Sequence, residues 1–131
     1  MELAKLSDEL SKIPIKITLV DKGVATGYLN RLTAPLTVEN IKQLLPINTR
    51  TSPAMGHVSI LLGIKRGTEK PVTQVKEGTI AYWPRSDALM IYTKVTKPYS
   101  PVNKVGEIDE NLELFNRLRS GSRIIIERVK E

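Results

Sequence analysis

Two runs rich in β-branched and aromatic residues, Thr79-Ile80-Ala81-Tyr82-Trp83 and Ala88-Leu89-Met90-Ile91-Tyr92, flank Pro84-Arg85-Ser86-Asp87. Proline lacks the N–H that a central strand must donate, and Pro, Ser and Asp each favour a turn, so the chain here must reverse. The expected unit is a β-hairpin. It also gathers the only Trp and two of the four Tyr beside a cation, Arg85, which makes it the first place to seek a binding surface.

The rest of the chain supplies partners for that hairpin. Ile13, Ile15, Ile17 and Leu19 alternate with Lys16 and Thr18, the period of a half-buried strand, and Asp21-Lys22-Gly23 turns it into Val24 to Leu29. Thr37 is expected to cap a helix from Val38 to Leu45, with Val38, Ile41, Leu44 and Leu45 on its apolar face and Pro46 at its end. His57 to Ile64 reads as a strand, whereas Asn48 to Gly56 and Lys65 to Lys76 are polar, Pro- and Gly-punctuated loops. Asp109 is expected to cap a second helix with Leu112, Phe115 and Leu118 on one side, stopped by Gly121. The closing run Arg123 to Val129 holds three adjacent isoleucines, the pattern of a strand covered on both faces. About seven or eight strands and two core helices result, which a mostly antiparallel sheet closed into a barrel accommodates with few open edges.

Leu3, Leu6, Leu10 and Ile13 recur at helical spacing, so Met1 to Ser11 reads as a short amphipathic helix ended by Pro14. Residues 1–12 are thus expected to form an extension and 13–131 the barrel domain. A short apolar stripe must pack on something, either the outside of the barrel or a second copy, which makes a homodimer through this helix one expected assembly.

Composition narrows the function. A length of 131 residues supports a core without staples, and the absence of cysteine removes disulfides, thiolate chemistry and cysteine zinc sites. One histidine makes any metal centre an unattractive reading, and no cofactor is expected, because the glycines form neither a phosphate loop nor a dinucleotide fingerprint. No apolar run reaches the roughly 20 residues of a membrane span, and Glu2, Asp8 and Glu9 stand where a signal peptide would be basic then apolar. The expectation is a cytoplasmic protein with no membrane partner. The net charge of +6 invites a nucleic-acid reading, but the basic residues are scattered among acids with no run longer than Lys65-Arg66, so no specific nucleic-acid partner is expected. Abundant Ile, Val, Lys and Arg with only two Gln lean toward a thermophilic source.

The segment Gly78-Thr79-Ile80-Ala81-Tyr82-Trp83-Pro84, the aromatic-bearing strand after it, Val102-Asn103-Lys104-Val105-Gly106-Glu107-Ile108 and the run from Leu112 to Gly121 together resemble the small prokaryotic cyclophilin-like proteins of unassigned function. The match is best from Glu77 to Val129. The resemblance implies a closed barrel of roughly eight strands with two capping helices. It does not imply isomerase activity. True cyclophilins carry an arginine on the strand corresponding to His57 to Ile64 and a Phe-Met-x-Gln segment, and neither is present here. Shared fold licenses a fold claim only.

Candidate chemistry is correspondingly sparse. His57 and Ser59 share a strand face, but neighbours two apart stand roughly 6–7 Å from one another and no nucleophile elbow surrounds Ser59. The carboxylates Asp87, Glu107, Asp109 and Glu110 each have a turn or helix-start role, and no catalytic residue is assigned. Alternation puts Ile80 and Tyr82 on one face of the hairpin, Ala81 and Trp83 on the other, and Met90 with Tyr92 on one face of the partner strand. One set can fill the barrel while the other walls a pocket. The expected ligand site therefore comprises Tyr82, Trp83 and Tyr92 as apolar walls, Arg85 as a charge anchor and Asn103 as a two-way hydrogen-bonding group, with His57 and Met90 as secondary members. The leading expectation is non-catalytic binding of a small molecule or short peptide beside this hairpin. A peptidyl-prolyl isomerase or other enzyme on the same barrel, and a structural or oligomerisation module, are the alternatives.

Overall fold

A computed structural model describes residues 10–129, so all but two residues of the expected Met1 to Ser11 helix lie outside the described part of the chain. The hairpin expected at the start is present. Strand β1 (Lys12–Leu19) pairs antiparallel with β2 (Gly23–Asn30), from Lys12 opposite Asn30 to Leu19 opposite Gly23. Ile13, Ile15, Ile17 and Leu19 are all buried, as their alternation requires.

The first helix, α1 (Pro35–Leu44), begins earlier than the sequence suggests. Pro35 occupies the first turn, where its missing N–H costs nothing and its fixed φ suits a helix. Ala34, not Thr37, is the N-cap residue and offers no side-chain cap. Thr37 lies inside the helix, fully buried, and the first-turn N–H groups find another acceptor, described below.

The expected loop from Asn48 to Gly56 instead contains two short strands, β3 (Ile47–Arg50) and β4 (Ser52–Ala54). Neither has a convincing local pattern. The pairing of β3 is imposed by the closing run around Ile124 to Ile126, far along the chain, which propensity cannot register, whereas β4 forms a short hairpin with the strand beginning at His57, disguised by Pro53. β5 (His57–Leu61) is shorter than expected, because the chain leaves the ladder at Leu62 to be held by Asp87. β6 (Thr79–Trp83) and β7 (Ala88–Tyr92) form the central hairpin, with Ile80 opposite Ile91 and Ala81 opposite Met90.

The second helix differs most. β8 (Asn103–Glu110) runs through Asp109, whose carboxylate accepts a hydrogen bond from Thr26 Oγ1 at 2.6 Å instead of capping a helix. Asn111 then turns in the left-handed region (φ 64°), and Leu112–Arg117 is a 3-10 helix. Leu112, Phe115 and Leu118 are spaced by three, so their stripe suits a helix of three residues per turn as well as an α-helix. β9 (Arg123–Arg128) closes the chain, with Ile124 and Ile126 buried inward and Ile125 only half-buried on the outer face, not covered on both sides as expected.

The nine described strands form one antiparallel sheet in the order β3-β9-β1-β2-β8-β6-β7-β5-β4. Its two outermost strands are consecutive in the chain, joined by Thr51 alone, so the sheet curls into a nearly closed barrel whose seam is a single stretch of backbone. Thr51 is buried and holds that seam: its N–H and Oγ1 both donate to Ser122 O (2.8 and 3.0 Å), and its own carbonyl accepts from Gly121 N–H at 2.9 Å. Between β2 and β8 the backbones pass so closely that a Cβ on Gly106 would overlap the Tyr28 carbonyl, and one on Gly27 the Glu107 carbonyl. The barrel interior is filled by Ile13, Ile15, Ile17, Ile60, Ile80, Tyr82 and Ile91, among others. A second apolar cluster, built on Ala81, Ala88, Met90 and Tyr92, lies on the outer face of β6 and β7 beneath the loops carrying Val75 and Val102. The predicted division of the hairpin into an inward and an outward face is the observed one.

Candidate functional site

The outer face of β5, β6 and β7 carries the aromatic pocket. Its floor comes from consecutive strands in register: His57 sits opposite Tyr92, and Met90 opposite both Ser59 and Ala81. The long connection after β7 folds back over this floor and adds Thr96, Lys97, Pro98 and Tyr99, bounding about 110 Å3 with His57, Trp83, Met90 and Tyr92. Trp83 is fixed by its indole N–H, which donates to Ser100 Oγ at 2.5 Å. Tyr99 is fixed from outside, where the Arg85 guanidinium lies 5.1 Å from its ring centroid. The imidazole of His57 meets the Tyr92 ring at 6.0 Å between centroids.

Electrostatics leave this pocket with one permanent charge. Burial lowers the His57 pKa below its ordinary 6.5, so the imidazole is neutral at pH 7. Burial likewise pushes the Tyr92 phenol up to about 12, keeping it protonated. Lys97 is the cation at the mouth, and no carboxylate lines the space.

Four of the residues expected at the site, His57, Trp83, Met90 and Tyr92, are brought together here. Three are placed elsewhere. Tyr82 points into the barrel and is fully buried, its hydroxyl donating to Asp87 Oδ1 at 2.6 Å and accepting from Arg66 N–H at 3.1 Å. Burial first, and then this bond to Asp87, push its pKa up to about 12. Arg85 reaches the pocket only through Tyr99. Asn103 is fully buried, with Oδ1 accepting from Glu69 N–H at 2.7 Å and Nδ2 donating to Gly67 O at 3.0 Å and Thr37 Oγ1 at 3.3 Å. It latches the loop after β5 onto the barrel.

Sequence reasoning also missed the acids that organise this side of the molecule. Glu69 accepts from the N–H groups of Leu36 (3.0 Å) and Thr37 (2.8 Å) and from Thr37 Oγ1 (2.7 Å), so it caps α1 from more than thirty residues away. Burial alone would raise the Glu69 pKa, but the bonds from Leu36 and Thr37 and the charge of Arg66 outweigh it and hold the carboxyl below its ordinary value. Asp87 Oδ1 accepts from Ile64 N–H and Lys65 N–H, each at 3.0 Å, as well as from Tyr82. Neither role leaves a local trace, since each acid serves a segment far along the chain. Tyr99 did leave one, an aromatic between Pro98 and Pro101 in a loop adjoining the hairpin.

A family model described as cyclophilin-like matches residues 12–127. The chain belongs to the cyclophilin-like family. Among solved structures, this cyclophilin-like barrel is similar to a hypothetical protein of Archaeoglobus fulgidus, AF2241, with a TM-score of 0.77, 22% identity and coverage of 91% of this chain and 96% of that one. It is also similar to McbB, solved in complex with tryptophan, with a TM-score of 0.72 and 20% identity. That likeness covers 89% of the cyclophilin-like chain but 45% of McbB, so the chain spans under half of the McbB length. At these identities the likeness is one of fold. No curated protein gave a significant match. Among the described residues no helix is long and apolar enough to cross a membrane, and no group of three or more His, Cys, Asp or Glu is placed to hold a metal.

Proposed function

We propose that this cyclophilin-like protein binds a small molecule, or one side chain of a short peptide, in the pocket of His57, Trp83, Met90, Tyr92 and Tyr99, without catalysing its conversion. The observation that carries this is a partly open, mostly apolar space on the outer barrel face, lined by Trp83, Tyr92 and the exposed Tyr99 and flanked by a loop that the indole of Trp83 itself helps to hold. Its volume of about 110 Å3 sets the scale of the occupant. A cavity of about 150 Å3 accommodates benzene, so one ring or one branched side chain is the fitting size. Lys97 at the mouth suits a carboxylate on that occupant. McbB, which shares the barrel over under half its length, has been solved with tryptophan, in keeping with a small aromatic amino acid as the class to try first. Arg85 bears on the pocket only through the Tyr99 ring.

The non-catalytic reading rests on what faces outward from β5. His57, Ser59 and Leu61 occupy that face, and none supplies the fixed positive charge that would stabilise a twisted prolyl imide.

The test is a titration read by Trp83 emission. L-phenylalanine and proline-containing tetrapeptides are scanned by fluorescence, and L-tryptophan by calorimetry. At least one class is expected to saturate, and calorimetry of that ligand on the native chain and on Trp83→Ala, which has no tryptophan left to emit, is expected to show it weakened about tenfold or more, as losing an aromatic contact predicts. No saturable response from any of the three, or equal affinity in Trp83→Ala, refutes the proposal. Acceleration of Xaa-Pro isomerisation above background would refute its non-catalytic part.

A further inference from the structure

A second and larger cavity, of about 350 Å3, opens at one end of the barrel. Its walls are the β4–β5 turn, the backbone just after β7 and the exit of the 3-10 helix, so it shares only His57 with the aromatic pocket. Its floor is closed by Val58, Phe115 and Leu118, whose side chains are almost wholly buried, so the apolar surface it offers is the edge of Leu118 and the exposed Met55 at the rim. The charged lining has one sign. Lys94 and Arg119 face this space, and no Asp or Glu lines it.

Neither cationic side chain has a hydrogen-bond or ion-pair partner among the described residues, although the Arg119 backbone is tied down by its N–H to Ser122 Oγ at 3.0 Å. Lys94 follows Thr93, whose N–H donates to Gly56 O at 2.9 Å, so both cations hang from fixed backbone. The side chains of Asn116 and Ser120, on the same wall, are also without a partner among the described residues. Two like charges on one cavity repel. Here no acid relieves them.

We propose that this cavity is a binding site for a small organic anion, its apolar body lying against Met55 and the edge of Leu118 and its phosphate or carboxylate held by Lys94 and Arg119. A planar guanidinium takes two oxygens of such a group side by side, and a lysine adds a point charge. Asn116 and Ser120 add neutral hydrogen bonds. The occupant is independent of whatever fills the aromatic pocket.

The probes are phenyl phosphate, phenylacetate as the carboxylate counterpart, benzyl alcohol as the uncharged one, and inorganic phosphate as the anion without a body. Binding to the full chain is followed by amide correlation spectra and calorimetry. Saturable shifts are expected at Thr93, Lys94 and residues 115–120 for phenyl phosphate or phenylacetate, whichever is tighter naming the oxyanion. Lys94→Gln and Arg119→Gln should each weaken that probe about tenfold, the worth of one charge-assisted hydrogen bond, whereas Trp83→Ala should leave it unchanged. Both residues are exposed, and the same spectra show whether the variants keep the fold. The proposal is overturned if neither anion produces saturable shifts there, if benzyl alcohol binds as tightly as the anions, or if the Lys94→Gln/Arg119→Gln pair retains full affinity. Inorganic phosphate binding as tightly as phenyl phosphate would overturn the role given to that apolar surface.

Discussion

Replacing Asp87 by alanine should cost this protein about 3–5 kcal/mol, a figure that can be assembled from the contacts of one oxygen atom and the backbone conformation of the residue. Asp87 Oδ1 accepts from Tyr82 Oη, Ile64 N–H and Lys65 N–H. The tyrosine is fully buried, so its hydroxyl proton would lose its acceptor where water cannot replace it, at about 1–3 kcal/mol. The two amides lie nearer the surface and can turn to water, so losing both costs about 1 kcal/mol. Asp87 also sits at φ 53°, in the left-handed region, where aspartate is tolerated and alanine adds about 1 kcal/mol. Urea unfolding is the assay: with a slope of about 1.5 kcal/mol per molar, the midpoint should fall by about 2–3 M. Asp87→Asn keeps the size and the left-handed tolerance but loses the charge, so about 1 kcal/mol is expected. A double-mutant cycle with Tyr82→Phe should return a coupling of about 1–2 kcal/mol. If Asp87→Ala stays within about 0.5 kcal/mol of the native chain, the aspartate is only a turn former and the account of this network fails.

Three further outcomes are expected. Tyr82 and Tyr92 are held protonated to about 12 against an ordinary 10, so both raise the folded state's preference for the neutral phenol; that stability is intact below pH 10 and lost between pH 10 and 12, with a slope of about 1.4 kcal/mol per pH unit per tyrosine, measurable by unfolding at stepped alkaline pH. Gly106→Ala should destabilise by at least about 3 kcal/mol or prevent folding, because the added methyl meets the Tyr28 carbonyl, which is backbone and cannot yield, and a midpoint near that of the native chain would show that β2 can shift. Deleting residues 1–9 should leave the barrel folded while lowering its midpoint or dissociating a dimer in sedimentation, since Leu3 and Leu6 continue the stripe begun by Leu10, and Leu10, Leu32 and Leu36 are all left exposed; no change in either quantity would make the segment a mere tail.

The alternating strands were legible because their pattern is local: Ile13 to Leu19 and the hairpin around Pro84 need only two-residue periodicity and a turn. β3 was not, since Asn48 joins the sheet opposite Ile125 of β9, far along the chain, and β4 was not, since its three residues include Pro53, which reads as a loop although they pair with the neighbouring β5. The site divides along the same line. Trp83, Met90 and Tyr92 followed from alternation on adjoining strands, whereas Tyr99 and Lys97 depend on how a loop folds back, and Asn103 looked like a ligand-facing amide because its partners Glu69, Gly67 and Thr37 lie in segments that only the folded chain brings near. Hydrogen-bonding capacity in a side chain says nothing of where that capacity will be used.

The seam at Thr51 bears on how partners can attach. Among the described strands, only the four-residue β3 and the three-residue β4 have a side without a neighbour, and Pro53 deprives the shorter of a donor. A visiting peptide therefore finds no long unpaired row of amides and carbonyls on which to lie as an extra strand, and the same scarcity protects the protein from polymerising edge to edge. Recognition must run through side chains and loop carbonyls. That favours short, chemically distinctive visitors over extended segments, and it means a second copy of the chain would have to meet this one face to face rather than by continuing its sheet.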